Sequence, residues 1–107
     1  PEEARGLATE AARRGLLYLD APVSGGVAGS RAGALTVMAA GSDAAFARAK
    51  PVLDATAKRV WNLGAEPGLG MTMKVVHQLL AGVHIAAAAE AMALGIKAGI
   101  EARTLYD

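Results

Sequence analysis

The chain opens with apolar side chains at helical spacing. In residues 1–15, Ala4, Leu7, Ala8 and Ala11 fall on one face of a helix. A proline and two acids begin this segment, and two arginines and a glycine end it. These residues are typical of helix starts and ends, and their charges match the helix dipole. The pattern therefore predicts a first helix.

Three short apolar runs, each bounded by turn residues, predict strands, the first of them a buried strand that ends in a loop. They are residues 16–22 (LLYLDAP), 34–41 (ALTVMAAG) and 58–64 (KRVWNLG). The glycine-rich residues 23–33 (VSGGVAGSRAG) lie between the first two runs and predict a loop. A helical period follows in residues 42–57, with Ser42 or Asp43 as its N-cap. Pro51 is expected to kink or split that helix.

Residues 67–98 predict one long helix of about 30 residues, roughly 45 Å in length. A helix of this length often bridges two domains or forms a subunit interface. Residues 101–107 predict the start of another helix. Up to residue 64 the order helix, strand, loop, strand, helix, strand is an α/β pattern, so the predicted fold class is α/β followed by α.

A membrane span is the alternative for part of the long helix. Residues 75–96 number 22, which is enough to cross a bilayer. However, His77, Gln78, His84 and Glu90 interrupt the apolar run, and its many alanines contribute little to insertion. We therefore interpret it as a buried helix of a soluble protein or of an oligomer.

Composition limits the classes of function. The net charge of +1 gives no electrostatic case for nucleic acid, and the absence of cysteine excludes disulfides, thiolate catalysis and cysteine-type zinc sites. The 107 residues are enough for one small domain or parts of two. Since the chain begins at Pro1, without an initiator methionine, we interpret it as an internal fragment.

One lysine, Lys74, lies among methionines and valines near the start of the long helix. His77 and Gln78 follow it by three and four residues, so the three side chains share one helix face. Partial desolvation favours the neutral form of an amine, which can then exchange protons near neutral pH. Spacing alone leaves two alternatives, a catalytic amine and a solvated lysine at a helix start.

Two glycine motifs are candidates for ligand binding. Gly25, Gly26 and Gly29 follow a predicted strand, where open α/β sheets place ligands, and their N–H groups suit an anion such as a carboxylate. A plain turn is the alternative. Gly68 and Gly70 form a G-x-G without the third glycine or a following βαβ unit. We interpret this pair as a close-packed helix start, not as a dinucleotide fingerprint.

Other polar residues fit their usual structural roles better than a site. His77 and His84 are seven residues apart, roughly 10.5 Å along a helix axis, so we expect no metal site. Glu90 lies about 160° round the helix from Lys74 and is not its partner. Ser24 lacks the histidine and aspartate context of a catalytic serine.

Two motifs occur together in a specific order, Leu19–Gly26 (LDAPVSGG) and, about 50 residues later, Gly68–Lys74 (GLGMTMK). With GALTVMAAG between them, they resemble the β-hydroxyacid dehydrogenase family over nearly the whole chain. That family includes 3-hydroxyisobutyrate dehydrogenase, tartronate semialdehyde reductase and relatives of 6-phosphogluconate dehydrogenase. The resemblance implies that residues 1–66 are the C-terminal portion of an NAD(P)-binding Rossmann domain. Residues 67–107 would then be a long interdomain helix and the start of an all-helical domain.

The resemblance also implies an NAD(P)-dependent oxidoreductase of small hydroxy acids, with roles for particular residues. Lys74 matches the catalytic acid/base, which takes the hydroxyl proton as hydride passes to the nicotinamide. Ser24, Gly25 and Gly26 match the loop that holds the substrate carboxylate. In this family the Gly-rich loop for NAD or NADP lies upstream of Pro1. No cofactor-binding residue is therefore assigned, and the fragment is expected to be inactive alone.

One position departs from the family pattern. An asparagine usually stands four residues after the lysine, where this chain has Gln78. Glutamine keeps the amide on a longer side chain, and His77 adds a donor on the same face, so we expect both to bind substrate. The KVVHQ pattern is similar to the threonate dehydrogenase branch, which implies a four-carbon sugar acid as a candidate substrate.

We further expect a cytoplasmic homodimer or homotetramer, formed through the helical domain, with no nucleic-acid or membrane partner. The alternative is a non-catalytic family member that uses the fold for binding or dimerisation. Such a protein is expected to have lost the lysine, so the presence of Lys74 favours an enzyme.

Overall fold

A computed structural model describes all 107 residues. The chain divides into two compact units, Pro1–Val75 and Val76–Asp107. In chain order the elements are α1 (Glu2–Arg13), β1 (Leu19–Asp20), β2 (Val23–Ser24), α2 (Gly26–Arg31), β3 (Leu35–Gly41), α3 (Asp43–Thr56), β4 (Ala57–Asn62), α4 (Leu69–Lys97) and α5 (Ala102–Tyr106). This order confirms the predicted class, a Rossmann-like α/β portion followed by a long helix.

The sheet of the first unit is built on β3. Strands β1 and β2 pair antiparallel with β3 in one register, with Leu19 opposite Gly41 and Ser24 opposite Thr36. Strand β4 pairs parallel with β3, and α3 supplies the crossover that a parallel pair needs. Because β3 is central, five consecutive residues of it are buried, from Val37 to Gly41. The core is therefore made mostly of small side chains that allow close packing.

The strand predicted at 16–22 is wrong in extent. Extended pairing covers only Leu19–Asp20 and resumes at Val23–Ser24. The interruption contains Pro22, which has no N–H to donate to the ladder, although its carbonyl accepts a hydrogen bond from the Met38 N–H at 2.9 Å. The two short strands thus act as one interrupted strand along β3.

The loop predicted at 23–33 is also partly wrong, because it contains the six-residue helix α2. Gly25 precedes this helix with φ of 131°, a value that L side chains rarely adopt. Its carbonyl then accepts a hydrogen bond from the Gly29 N–H at 2.9 Å. The glycine therefore turns the chain from β2 directly into a helix.

Helix α3 resolves two expectations. Ser42 is the N-cap, since its Oγ accepts a hydrogen bond from the Ala45 N–H at 3.2 Å. Pro51 lies inside α3, and the helix continues through it, so the predicted split is wrong. The proline removes a single hydrogen bond, to the Ala47 carbonyl, while contacts with β3 and β4 hold the helix in place.

Helix α4 contains 29 residues, and Gly70 is the buried one among them. Large apolar side chains along it are exposed, for example Leu79 at 66% and Ile85 at 72%. The helix is long and apolar enough to cross a membrane, and no part of its most apolar window is buried. The prediction of a buried helix is therefore wrong within these 107 residues. That another segment or a second copy of the chain covers the apolar surface of α4 stays a prediction.

Candidate active site

The start of α4 is held by a distant carboxylate, that of Asp20 at the end of β1. Asp20 Oδ2 accepts hydrogen bonds from the backbone N–H groups of Gly68, at 2.9 Å, and Met71, at 3.0 Å. N–H groups at a helix start have no partner inside the helix, and the helix dipole favours a negative charge there. Asp20 is only 3% exposed, so water competes little for these bonds. The carboxylate therefore caps α4 and joins it to the sheet.

The G-x-G motif fits this junction sterically. Gly68 has φ of 93°, which favours glycine, and the Cβ of any other residue there would lie 3.1 Å from the Pro1 carbonyl oxygen. A Cβ on Gly70 would lie 2.6 Å from the Met38 carbonyl oxygen and 2.7 Å from that of Asp20. Both glycines are buried. The interpretation of this pair as a close-packed helix start is confirmed.

Tyr18 lies just before β1, two residues ahead of Asp20, and is half-buried. Burial, and secondly the negative charge of Asp20, raises the pKa of the Tyr18 phenol above its usual value of 10.0. The phenol therefore keeps its proton throughout the neutral range. Tyr18 adds no charge beside the carboxylate that caps α4.

The candidate carboxylate loop begins on the strand that pairs with β3. Ser24 ends β2, lies opposite Thr36 and is half-buried. Gly25 and Gly26 follow with φ of 131° and 58°, and both are exposed. A Cβ on Gly25 would lie 3.2 Å from Leu35 Cδ2, whereas Gly26 has open space around it. The loop is thus fixed to the sheet at Ser24 and turned outward by the glycines.

The candidate acid/base lies on α4, three residues after the capped Met71. Lys74 is half-buried, whereas the two positions after it on the same helix face, His77 and Gln78, are exposed. His77 Nδ1 and Gln78 Oε1 are 3.0 Å apart and share a hydrogen bond. That bond orients the glutamine amide, and it leaves the Lys74 amine out of the pair.

The candidate site residues are divided between the two compact units. Ser24, Gly25, Gly26 and Lys74 belong to Pro1–Val75, while the histidine and the glutamine belong to Val76–Asp107. No hydrogen bond or ion pair joins the lysine amine to the loop. The roles of these residues stay predictions.

Three surface cavities lie away from these residues. One of about 380 Å³ lies between α1 and the Glu66–Pro67 turn, and one of about 260 Å³ lies between α3 and Val60. The third, of about 440 Å³, is lined by Thr36, Lys58, Arg59 and Trp61, with the Arg59 guanidinium 5.1 Å from the Trp61 ring centre. None of the three is lined by the candidate lysine or by the loop.

The sequence interpretation missed Asp20, the residue that joins the two motifs. A signal for it exists, because no Ser, Thr, Asp or Asn stands just before α4, where a local N-cap would be. A helix start without a local cap needs an acceptor from elsewhere in the chain. Spacing does not identify an acceptor that is 48 residues away from the N–H it caps.

Two family models match the chain. The first, described as the NAD binding domain of 6-phosphogluconate dehydrogenase, matches residues 1–64. The second, described as NAD-binding of NADP-dependent 3-hydroxyisobutyrate dehydrogenase, matches residues 68–107. Their junction falls at the turn before α4.

Curated relatives extend this likeness. The chain is 58% identical over 105 residues to L-threonate dehydrogenase of Escherichia coli K12, covering 98% of this chain and 35% of the relative. It is 45% identical over 107 residues to 3-hydroxyisobutyrate dehydrogenase of Pseudomonas aeruginosa, covering 100% of this chain and 36% of the relative. The chain thus spans about a third of the length of the curated relatives that it matches.

A solved structure shows the same fold. The crystal structure of 3-hydroxyisobutyrate dehydrogenase from Salmonella typhimurium superposes with a TM-score of 0.92 at 55% identity. The match covers 99% of this chain and 37% of that chain. The chain thus matches somewhat more than a third of the length of that solved protein.

Proposed function

Because this chain belongs to the β-hydroxyacid dehydrogenase family, we propose that the whole protein is an NAD(P)-dependent oxidoreductase. It acts on the hydroxyl of a small 3-hydroxy or sugar-acid carboxylate. One observation carries the proposal: the Asp20 carboxylate joins the strand that leads to Ser24 to the helix that carries Lys74. A carboxylate-binding loop and a proton-transfer amine are the two groups that this reaction needs from the protein.

In the proposed reaction Lys74 is the general acid/base. On oxidation its neutral amine accepts the proton of the substrate hydroxyl as the C–O bond becomes a carbonyl. A bound nicotinamide supplies the acceptor for the hydride that leaves the same carbon. On reduction the protonated amine returns that proton to the carbonyl oxygen. The half-buried position of Lys74 on α4 supports this role.

The dinucleotide itself needs residues outside those described here. A pyrophosphate site uses free N–H groups at a glycine-rich helix start. At the Gly68–Gly70 turn, the N–H groups of Gly68 and Met71 already donate to Asp20, and Gly70 packs on strand backbone. These residues do not fit a dinucleotide phosphate. We therefore assign no cofactor-binding residue in this chain and leave NAD and NADP as equal candidates.

Substrate binding is assigned to Ser24, Gly25 and Gly26 for the carboxylate and to His77 and Gln78 for further oxygens. The hydrogen bond between the histidine and the glutamine supports a shared role, because it holds the amide in one orientation. L-Threonate is the name-giving substrate of the E. coli relative, and 3-hydroxyisobutyrate that of the P. aeruginosa relative. A four-carbon sugar acid is thus the first substrate to test. We also propose a soluble cytoplasmic homodimer or homotetramer.

The acid/base role is tested on the full-length enzyme with Lys74→Ala and Lys74→Met. The methionine variant keeps an apolar stem of similar length and removes the amine. General acid–base catalysis contributes about 10²–10⁴-fold, so we expect kcat with threonate, 3-hydroxyisobutyrate or glycerate to fall by that factor in both variants. Lys97→Ala, at the exposed end of the same helix, is the matched control and is expected to keep wild-type kcat. Normal turnover of every hydroxy acid by Lys74→Ala would refute the role.

The carboxylate loop is tested separately with Ser24→Ala. Loss of one hydrogen bond to a charged group costs about 1.5–3 kcal/mol, so we expect KM for the acid to rise roughly 10- to 100-fold. Ser30→Ala, on the exposed side of α2, is the matched control. An unchanged KM in Ser24→Ala would show that the serine does not bind the carboxylate.

A further inference from the structure

We infer that Asp20 is a positioning residue, whose carboxylate fixes the start of α4 on the sheet and so sets the place of Lys74 relative to Ser24. The inference rests on the proposed function, since it gives those two residues a common geometry. The family resemblance implied no role for Asp20. Asp20 touches no reacting atom and acts only through the helix that it caps.

The cap is specific and shielded. A single oxygen, Oδ2, accepts both N–H groups, from Gly68 and from Met71. Two donors that converge on one acceptor fix the direction of the helix start as well as its distance. Since Asp20 is 3% exposed, the bonds are not exchanged readily for bonds to water. The contact therefore defines one position for the first turn.

Asp20 is itself held in place by the sheet. Asp20 pairs with Ala40 of β3, which is fully buried, and the register continues to Ser24 opposite Thr36. Asp20 and Ser24 are thus fixed on one strand edge, four residues apart. The same carboxylate reaches Met71, and Lys74 follows by three residues, roughly 4.5 Å along the axis. The cap is the short connection between the two proposed groups.

Packing around Gly70 reinforces the polar contact. Only a residue without Cβ allows the helix backbone to approach the carbonyl oxygens of Met38 and Asp20 this closely. The close approach brings the Met71 N–H to the carboxylate at 3.0 Å. Steric fit and hydrogen bonding therefore specify the same helix position. All of these residues lie within the unit Pro1–Val75.

Loss of the cap is expected to affect proton transfer more than substrate affinity. Displacement of a catalytic group by about 1 Å can reduce the rate roughly 100-fold. The loop at Ser24 keeps its own pairing with β3, which does not depend on the carboxylate. We therefore expect kcat to fall while KM for the acid changes little.

The experiment compares Asp20→Ala, Asp20→Asn, Lys74→Ala and the double variant Asp20→Ala/Lys74→Ala in the full-length enzyme. Asparagine keeps an acceptor oxygen for the two N–H groups. We expect Asp20→Ala to lower kcat roughly 10- to 100-fold with KM within about threefold of wild type. Asp20→Asn should keep kcat within about threefold. The double variant should be no slower than Lys74→Ala, because residues that act through one group are not additive.

The results that would overturn the positioning role differ from the result that would refute the proposed function. Wild-type kcat in Asp20→Ala, or additive losses in the double variant, would overturn the positioning role, while the expected loss of kcat in Lys74→Ala would leave the proposed function standing. An equal loss in Asp20→Asn and Asp20→Ala would also overturn it, since the acceptor oxygen would then not matter. Normal turnover by Lys74→Ala would instead refute the proposed function. If Asp20→Ala does not fold, Asp20→Glu, which moves the carboxylate by one methylene, must show the fall in kcat at constant KM, and wild-type kcat there overturns the inference.

Discussion

The two parts of α4 differ although they form one continuous helix. The head, residues 69–75, is joined to the sheet by the Asp20 cap and by the packing of Gly70 on strand backbone. The body, residues 76–97, has exposed leucines, valines and isoleucines and no residue that is buried. Local helix propensity is high in both parts, so it does not explain the difference. Tertiary contacts within the first 75 residues do.

The comparison separates what this chain can specify alone from what it leaves open. The position of Lys74 follows from the head, because every contact that fixes the head comes from residues within the same unit. His77 and Gln78 lie in the body, whose large apolar surface is of the kind that soluble proteins cover with another segment or subunit. The proposed proton-transfer group is thus fixed locally, and the proposed specificity residues belong to a surface that this chain does not cover.

The largest effect is expected from a substitution in the head. In Gly70→Ala the new Cβ would lie 2.6 Å and 2.7 Å from two carbonyl oxygens, both of backbone that cannot move without disturbing β1 and β3. Overpacking of this kind, with loss of the cap bonds, costs about 3 kcal/mol. We expect the full-length protein to unfold roughly 6–12 °C lower in a thermal melt. Activity should fall as in Asp20→Ala, because the same helix start is displaced.

A melting temperature within about 2 °C of wild type would contradict the close packing at Gly70. Wild-type kcat together with a lowered melting temperature would contradict only the role of the head in positioning Lys74. The packing would then stabilise the fold, but Lys74 would not depend on the head for its position.

Most of the fold could be predicted from the sequence, because its signals are local. Helical periods and turn residues identified α1, α3, α4 and α5, and short apolar runs identified β3 and β4. The predictions failed where tertiary contacts override local preference. The pairing with β3 extends past Pro22 to Ser24, and a glycine-rich segment forms α2 because Gly25 can adopt φ of 131°.

The site was predictable only in part. Spacing and the resemblance to a family pointed to Lys74 and to the Ser24–Gly26 loop, but neither pointed to Asp20 as their connection. A helix cap from a residue 48 positions away leaves no periodic signal. The interpretation of Gly68 and Gly70 succeeded because the missing third glycine is itself a local feature.

The smallest expected effect tests the body with the same substitution. Gly82 lies in the middle of α4, and a Cβ built there meets no atom within 4 Å. Gly82→Ala removes the entropic cost of glycine in a helix, about 0.5–1 kcal/mol, so we expect the melting temperature to rise by roughly 1–3 °C with kcat unchanged. One substitution at two positions of one helix should then have opposite signs. If the melting temperature instead falls as much as in Gly70→Ala, the body is packed as closely as the head in the whole protein. Gly82 would then mark the place where another segment or subunit approaches the helix backbone.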